Sequence, residues 1–267
     1  MITLLSKKNQ EILKSVDYFI NHTDISITKC AERFNIHRST LANRLKQLDV
    51  LEDRRKYKVD QDYFDVINTN NKAYWLGFIL ADGCLKKDTN QLSIGLSYKD
   101  RKHLEKFRTE IKSNKPISNE KATVKNKIHR TSYFRINNKK MYNDLLKYNV
   151  CNNKSCNEKP VILEQQYSSH YIRGIYDGDG WISWGKGWSE LGFGMGYEIL
   201  SFIRDNFEKY AGVKNYKIIP YKKIYRYRLT SKKEILKALN YMYDNGNVYL
   251  DRKHERFLNF AVLGRNS

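Results

Sequence analysis

Two ten-residue stretches of this chain are versions of one pattern. Residues 74–83 read YWLGFILADG, and residues 171–180 read YIRGIYDGDG. Bulky apolar residues surround one narrow face in each stretch, which predicts two buried helices. Small residues one turn apart on that face let helix backbones approach almost to contact. The small residues are Gly77 and Ala81 in the first stretch, and Gly174 and Gly178 in the second.

If the two helices pack side by side and parallel, Asp82 and Asp179 lie next to each other just past the helix ends. Each is followed by a glycine, which is typical of a helix stop. A carboxylate there meets the negative end of the helix dipole, and a second carboxylate adds repulsion. Divalent cations relieve both, so we expect a Mg²⁺ site with two or three ions, completed by the carbonyls of Ala81 and Gly178. The alternative is that each is an ordinary Asp-Gly turn, but an internal repeat makes the pair more specific.

The repetition continues beyond the motifs. Residues 91–98 align without a gap on residues 190–197, and both alternate apolar with small or polar residues, as half-buried strands do. The predicted order is helix, strand, strand, helix, strand, strand, helix, twice, with a last helix at about 251–260. This predicts an α+β fold of two pseudo-symmetric αββαββα units, at residues 72–150 and 168–267, joined by an inter-unit linker at 151–167.

In residues 6–48 the spacing of apolar residues predicts three short helices, of which the second and third form a helix-turn-helix. Ala31 is placed where these two helices cross, and Ile36 plugs the turn. We expect a small all-α domain at 1–50 and a linker at 51–71. An ordinary helical hairpin with a solvated basic face is the alternative. The residues expected to reach bases and phosphates from the third helix are Arg38, Thr40, Asn43, Arg44 and Gln47.

Composition favours a polyanionic partner. The chain has 267 residues and a net charge of +20, from 49 Lys and Arg against 29 Asp and Glu. Nucleic acid neutralises such an excess by releasing counterions, whereas the basic residues are too spread for an amphipathic membrane helix. No apolar run is long enough for a membrane span or a signal peptide. Four cysteines suggest a reducing compartment, so we expect a cytoplasmic or organellar protein; Cys151 and Cys156 form an incomplete zinc site and are expected to be free thiols.

Residues 72–267, with their two motifs, resemble single-chain LAGLIDADG homing endonucleases. Asp177 keeps a first acidic motif residue, where the first motif has Leu80. The resemblance implies that Asp82 and Asp179 bind the catalytic metal, and that two sheets form a saddle over double-stranded DNA. It also implies that both strands are cut across the minor groove, at a long asymmetric target, by a monomer.

The resemblance further implies a basic residue after the second strand of each unit, near the scissile phosphate. Lys99 matches this position in the first unit, whereas the gapless alignment places Glu198 there in the second. Lys186, in a glycine-flanked turn, is a candidate substitute, and a plain surface lysine is the alternative for Lys99. We hypothesise that one DNA strand is cut faster than the other.

The polar sides of the strands are expected to contact DNA, and Arg135 and Arg228 occupy equivalent repeat positions. In the second unit one strand face carries only glycines, at 192, 194 and 196. Either the backbone lies very close to DNA there, or that half reads bases poorly. The predicted strand and turn contacts are Ser93, Ser97, Arg135, Asn137, Lys186, Arg226 and Arg228.

Two other functions fit the same scaffold. One is a DNA-binding regulator that has lost cleavage, which the retention of Asp82 and Asp179 disfavours. The other is an RNA-binding intron maturase, which the sequence leaves open.

Overall fold

The structure is a computed structural model, and it describes residues 7–22, 25–48, 50, 57–124, 127–150 and 159–265. The chain divides after Lys58 into two compact units. Cys151 and Cys156 lie outside the described residues. Cys30, which is buried, and Cys84, which is exposed, form no disulfide bond within the part of the chain that the structure describes. Among the described helices, none is both long and apolar enough to cross a membrane.

The N-terminal unit contains helices α1 (Lys7–Asn21), α2 (Ile27–Arg33) and α3 (Arg38–Gln47). The Ser26 side chain caps α2 by accepting a hydrogen bond from the Lys29 amide. Between α2 and α3, Asn35 takes a positive φ of 48°, and the Ile36 amide donates to the Ala31 carbonyl at 3.0 Å. Ala31 is buried and Ile36 packs against the same core, as predicted. The core residues are Val16, Phe19, Cys30, Ala31, Leu41 and Leu45.

The larger unit follows the predicted order of elements. Its first half comprises α4 (Asn70–Asp82), β1 (Gly83–Lys86), β2 (Gln91–Ser97), α5 (Arg101–Glu110), β3 (Ser118–Val124), β4 (Lys127–Asn137) and α6 (Lys139–Lys147). Its second half comprises α7 (Gln165–Asp179), β5 (Trp181–Gly185), β6 (Trp188–Met195), α8 (Tyr197–Ala211), β7 (Ile218–Tyr221), β8 (Ile224–Leu229) and α9 (Lys232–Tyr243). The last helix, α10 (Asp251–Arg265), runs further than predicted.

The two halves build equivalent antiparallel sheets, ordered β1-β2-β4-β3 and β5-β6-β8-β7. Cys84 pairs with Ser93, which pairs with Arg135; in the second sheet Trp181 pairs with Gly192, which pairs with Arg228. The gapless alignment of 91–98 on 190–197 is therefore confirmed. Arg135 and Arg228 hold the same sheet position, as expected.

Part of the region predicted as a linker packs on the first half. Tyr63, Phe64 and Ile67 are buried, and the Asp60 amide donates to the Ile111 carbonyl at 2.8 Å. Apolar burial of these three side chains fixes the entry into α4, whose N-cap is Thr69.

Candidate active site

The two motif helices, α4 and α7, are in backbone contact. A Cβ atom added at Gly77 would collide with the Tyr171 carbonyl oxygen, and one at Gly174 would collide with the Tyr74 carbonyl oxygen. These contacts are repeat partners, so a pseudo-twofold axis relates the parallel helices. The predicted small-residue packing is confirmed, and only glycine fits at the two crossing positions.

The crossing brings the C-terminal ends of α4 and α7 together. A Cβ at Gly178 would collide with the Ala81 side chain and would lie 3.5 Å from the Asp82 amide nitrogen. Asp82 is half-buried and Asp179 is exposed, whereas Ala81 before the first is buried and Gly178 before the second is half-buried. The structure therefore places two carboxylates at one solvent-accessible helix junction.

The glycines that follow the two carboxylates do not have the backbone conformation expected of a glycine at a helix stop. Gly83 and Gly180 have φ of −77° and −76°, which is extended backbone and not the left-handed cap expected of a glycine stop. A Cβ at Gly83 would lie 2.6 Å from the Ile79 carbonyl oxygen, and one at Gly180 would lie 2.8 Å from that of Tyr176. Glycine is required because the strand leaves directly over the last helical turn.

The donor set at the junction consists of hard oxygens: two carboxylates, with the Ala81 and Gly178 carbonyls beside them. This set fits Mg²⁺, which binds proteins through one or two carboxylates and takes its remaining ligands from water and phosphate. Within the described ranges, no group of three His, Cys, Asp or Glu side chains could hold a metal by itself. A metal here would therefore need water or a bound ligand to complete its shell.

Asp177, two residues before Asp179, faces the protein interior. Its carboxylate accepts hydrogen bonds from the Tyr74 hydroxyl at 2.8 Å, the Tyr243 hydroxyl at 2.7 Å and the Leu250 amide at 2.7 Å. Burial raises the pKa of Asp177, while Lys253 and these hydrogen bonds act in the opposite direction. The first acidic residue of the second motif is therefore a buried structural acceptor that joins α4, α7 and the segment before α10.

The same network fixes the protonation of His103 in α5. The single hydroxyl proton of Tyr74 goes to Asp177, so His103 Nε2, 2.9 Å from the Tyr74 oxygen, must donate to it. His103 Nδ1 is buried and has no hydrogen-bond partner among the residues that the structure describes. Burial, with the nearby charges of Lys106 and Arg252, lowers the pKa of His103 to about 3. The imidazole is neutral at pH 7.

Arg173, the third residue of the stretch 171–180, is also buried. Its guanidinium donates to the Met242 carbonyl at 2.7 Å and the Val248 carbonyl at 3.0 Å. A Cβ at Gly246 would lie 2.6 Å from this guanidinium, so the glycine makes room for it. Arg173 therefore ties α7 to the end of α9 and the chain that follows.

Lys253, in the first turn of α10, is a site residue that the sequence reasoning missed. Its ammonium donates to the carbonyls of Tyr176 at 2.5 Å and Gly180 at 2.7 Å, and lies 3.4 Å from that of Gly178. Burial lowers its pKa to about 8, and the negative charges of Asp82 and Asp179 are close enough to oppose that shift. Lys253 thus neutralises the C-terminal end of α7 at the carboxylate junction. No spacing in the sequence marks it, because α10 contains many charged residues.

The start of α10 is also fastened to the first half. Arg252 donates to Asp100 at 2.8 Å, and Lys106 donates to Asp251 at 2.5 Å. These ion pairs are on the surface and contribute about 0–1 kcal/mol each. Their role is to set the position of the helix that carries Lys253.

Lys99 is exposed in the 3-10 turn Tyr98–Asp100 that follows β2, and Glu198 is exposed at the start of α8. The two halves therefore carry opposite charges at this position, and a role of Lys99 near the scissile phosphate stays a prediction. Lys186 lies in the turn at the far end of β5, which leads away from Asp179. Seven extended residues span on the order of 20 Å, so this turn does not serve the junction, and Lys186 stays a predicted DNA contact.

The outward face of the first sheet carries a stacked arginine. A Cβ at Gly95 would lie 2.5 Å from the Tyr133 ring, which covers the glycine. The Arg135 guanidinium carbon is 3.9 Å from the centre of that ring, and its Nη1 donates to Glu120 at 2.5 Å. Arg135 is therefore held between an aromatic ring and a carboxylate.

Side chains cover the glycines of β6. The two expected alternatives, a backbone that lies very close to DNA and a half that reads bases poorly, both left out these covering side chains. The Trp181 indole lies over Gly192, and Gly194 faces Ile224. The Trp181 indole nitrogen donates to Glu190 at 2.8 Å, whose other oxygen accepts from Arg228 at 3.0 Å. The glycines make room for an aromatic and arginine layer.

Other predicted contacts vary in exposure. Ser93 is only 9% exposed, Ser97 is exposed, and Asn137 donates to the Thr89 carbonyl at 3.0 Å. Arg226 stacks on Tyr221, with 3.3 Å from its guanidinium carbon to the ring centre. Ser93 is the least accessible of this set.

In the N-terminal unit, the predicted recognition residues lie on the open side of α3. Thr40 is half-buried, and the Arg44 guanidinium donates to the Gln47 side-chain oxygen at 3.1 Å. The exposed members are Arg38, Asn43, Arg44 and Gln47. They stay predicted DNA contacts.

Comparison with known proteins gives matches only among solved structures; no family model and no curated protein matches the chain. DUF199/WhiA from Thermatoga maritima matches with a TM-score of 0.48 and 16% identity, over 76% of this chain and 64% of that chain. This chain therefore spans less than two thirds of that protein's length. The LAGLIDADG homing endonuclease I-GzeII in complex with its DNA target matches with a TM-score of 0.49 and 11% identity, over 75% and 90%.

The LAGLIDADG meganuclease I-AabMI bound to uncleaved DNA matches with a TM-score of 0.46 and 14% identity, over 74% of this chain and 90% of that chain. The architecture described above has two αββαββα units, equivalent four-stranded sheets, and parallel motif helices in contact through glycines. In these features the fold of this chain is similar to that of the LAGLIDADG structures named above.

Proposed function

We propose that this protein is a site-specific double-stranded DNA endonuclease. The observation that carries the proposal is the junction of Asp82 and Asp179 at the ends of two helices in backbone contact. Two like charges at the negative ends of two helix dipoles are a costly arrangement, and a bound divalent cation makes it favourable.

The chemistry assigned to the junction is phosphodiester hydrolysis. Bound Mg²⁺ would activate water and stabilise the leaving oxygen. Asp82 and Asp179 would hold the metal, with the carbonyls of Ala81 and Gly178 beside them. Lys253 is a positioning residue, because it holds the last carbonyls of α7 and offsets the negative charge around the junction.

The substrate class follows from the surface around the junction. The net charge of +20 favours a polyanion, and arginines line the outward faces of both sheets. Because one chain supplies both carboxylates, we expect a monomer to suffice. Because the two sheet faces differ, we expect a long target that is not a strict palindrome.

The N-terminal unit is proposed as a second DNA-contacting module, through its α2-turn-α3 pair. The exposed side chains of α3 are long and polar or basic, which suits base edges and phosphates in a major groove. Its deletion should weaken DNA binding and leave the cleavage position unchanged, because the carboxylates lie in the other unit.

The experiment that tests the proposal begins with selection of bound duplexes from a random library in the presence of EDTA. A selected duplex is then incubated with Mg²⁺ and the wild-type chain, Asp82→Asn or Asp205→Asn. Asp205 is exposed and paired with Arg204 on α8, which makes it a charge-matched control. We expect cleavage by the wild type and the control, and binding without cleavage by Asp82→Asn.

Two results would replace the proposal with its rivals. Specific binding without cleavage by the wild type would support a DNA-binding regulator. Preferential binding of structured intron RNA over the selected duplex, in direct competition, would support a maturase.

A further inference from the structure

The two sheet faces carry one arginine at the same position and one glutamate at different positions. Arg135 on β4 and Arg228 on β8 occupy equivalent positions in their sheets. Arg135 pairs with Ser93 on β2, and Arg228 pairs with Gly192 on β6. The glutamate is Glu120 on β3 in the first sheet, and Glu190 on β6 in the second. The strand registers show which residues replace the glutamates in the opposite sheet. Tyr221 of the second sheet is equivalent to Glu120 of the first, and Gln91 of the first sheet is equivalent to Glu190 of the second.

The glutamates draw the two arginines in opposite directions. Glu120 faces Thr131, so Arg135 reaches back along β4, over the Tyr133 ring. Glu190 neighbours Leu191, which faces Leu229, so Arg228 reaches forward along β8. With about 3.3 Å per strand residue, the two guanidinium groups are displaced in opposite senses from equivalent backbone positions.

A carboxylate on a face that binds a polyanion needs a partner other than phosphate. In the major groove, the amino groups of cytosine and adenine are the hydrogen-bond donors available to a carboxylate, and guanine offers two acceptors that match a guanidinium. An arginine already paired with glutamate is therefore suited to base edges and less suited to the backbone. Arg135 also rests on the Tyr133 ring, and Glu190 accepts a hydrogen bond from the Trp181 indole, which limits how far each ion pair can turn.

We propose that Arg135 and Arg228 each read a guanine, and that Glu120 and Glu190 aim them so that the two guanines lie at unequal distances from the cut. The proposal rests on the DNA-binding function proposed above and names the bases and the residues that make the target asymmetric. The arginines are the specificity-determining residues, and the glutamates position them.

The experiment is selection of bound duplexes from a random library, followed by mapping of the cut, for the wild type and four variants. The variants are Arg135→Gln, Arg228→Gln, Glu120→Gln and Glu190→Gln; the last installs the residue that the first sheet has at the equivalent position, Gln91. Circular dichroism confirms that each surface variant folds. We expect a guanine preference of about 10- to 100-fold at one position in each half, at unequal distances from the cut.

Each arginine variant should abolish the preference in its own half only. Glu190→Gln should weaken or move the same preference as Arg228→Gln, and Glu120→Gln the same preference as Arg135→Gln. Equal distances, the absence of guanine, or glutamate variants with wild-type base preference would overturn the proposal while leaving DNA binding intact. Failure to select any duplex would overturn the proposed function, and this inference with it.

Discussion

Asp177 and Asp179 are two residues apart in one helix and have opposite environments. Asp177 is buried and accepts three hydrogen bonds, whereas Asp179 is exposed at the helix junction. Substitutions that neutralise the two carboxylates should therefore have different effects on the protein.

Asp177→Asn is expected to destabilise the fold. The change removes the negative charge beside the buried cations Lys253 and Arg173. It also replaces one of the two acceptor oxygens by an amide NH2, which then faces either the Tyr243 hydroxyl or the donors of Tyr74 and Leu250. Breaking a buried charge network in this way costs roughly 3–5 kcal/mol. Urea unfolding of this variant, with Asp179→Asn for comparison, measures the difference; equal stability of the two would contradict the assignment.

Lys253 is expected to affect cleavage more than DNA binding. Lys253→Met keeps the apolar stem but removes the ammonium from the α7 carbonyls and from the neighbourhood of Asp82 and Asp179. Cleavage at saturating Mg²⁺ should fall by about tenfold or more, which corresponds to about 1.4 kcal/mol.

A merely structural lysine would not change the metal requirement. Removing one positive charge near the carboxylates should lower the Mg²⁺ concentration needed for half-maximal cleavage. Lys253→Arg, which keeps the charge, should keep the wild-type requirement. An unchanged Mg²⁺ requirement in Lys253→Met would limit Lys253 to folding.

His103 should make the protein acid-sensitive. Its folded pKa is about 3, from burial, against about 6.5 in the unfolded chain. The unfolded state therefore binds more protons between about pH 3 and 6.5, and stability falls as pH decreases through that window. His170, with a pKa lowered to about 4 by burial and Arg173, acts in the same direction.

The slope should reach about 1.4 kcal/mol per pH unit for each histidine. Urea unfolding at pH 5 and pH 7 measures it. His103→Asn should reduce the pH dependence even though it lowers the stability at pH 7. An unchanged pH dependence in that variant would contradict a buried neutral imidazole.

At the scale of elements, the crossing of α4 and α7 is the contact on which the site depends. Alanine is the better helix former than glycine by about 1 kcal/mol. At Gly77 or Gly174 that gain is outweighed, because the new methyl group meets backbone atoms that cannot move aside. Gly77→Ala or Gly174→Ala should cost about 3 kcal/mol or more.

Gly194→Ala is the matched control for the helix crossing. At that strand position the nearest atom to an added Cβ is a side-chain atom of Ile224 at 3.2 Å. Urea unfolding should give a small change for the control. A similarly small change for Gly174→Ala would show that the helices are not in backbone contact.

Much of the element order could be predicted from sequence, because periodicity and an internal repeat report local backbone structure. The repeat also gave the equivalence of Arg135 and Arg228. The conformation of Gly83 could not be predicted. Glycine is required there by the lack of space for a side chain and not by a left-handed φ, and this depends on the direction in which the following strand leaves the helix. The Lys253 contacts and the Trp181 layer over Gly192 come from residues distant in sequence or on a neighbouring strand, and no single-chain pattern marks them.

At the scale of the whole molecule, the two halves share one backbone design and differ in charge. Lys99 in the first half corresponds to Glu198 in the second, and the sheet faces differ as described above. We expect the two DNA strands to be cut at unequal rates. On supercoiled plasmid carrying a selected target, nicked circles should accumulate before the linear product.

A control for unequal cutting is the variant Glu198→Lys, which gives both halves a lysine at this position. It should reduce the transient nicked fraction. Direct conversion of supercoiled to linear DNA by the wild type would contradict unequal half-sites.

The central claim is that Asp82 and Asp179 form one shared metal-binding cluster. The most direct test is strand-specific cleavage of a selected duplex, labelled differently on its two strands, by Asp82→Asn and by Asp179→Asn. Our account predicts that each single substitution lowers cleavage of both strands. If each variant instead spares one strand and becomes a strand-specific nickase, the carboxylates serve independent sites and the shared cluster is contradicted.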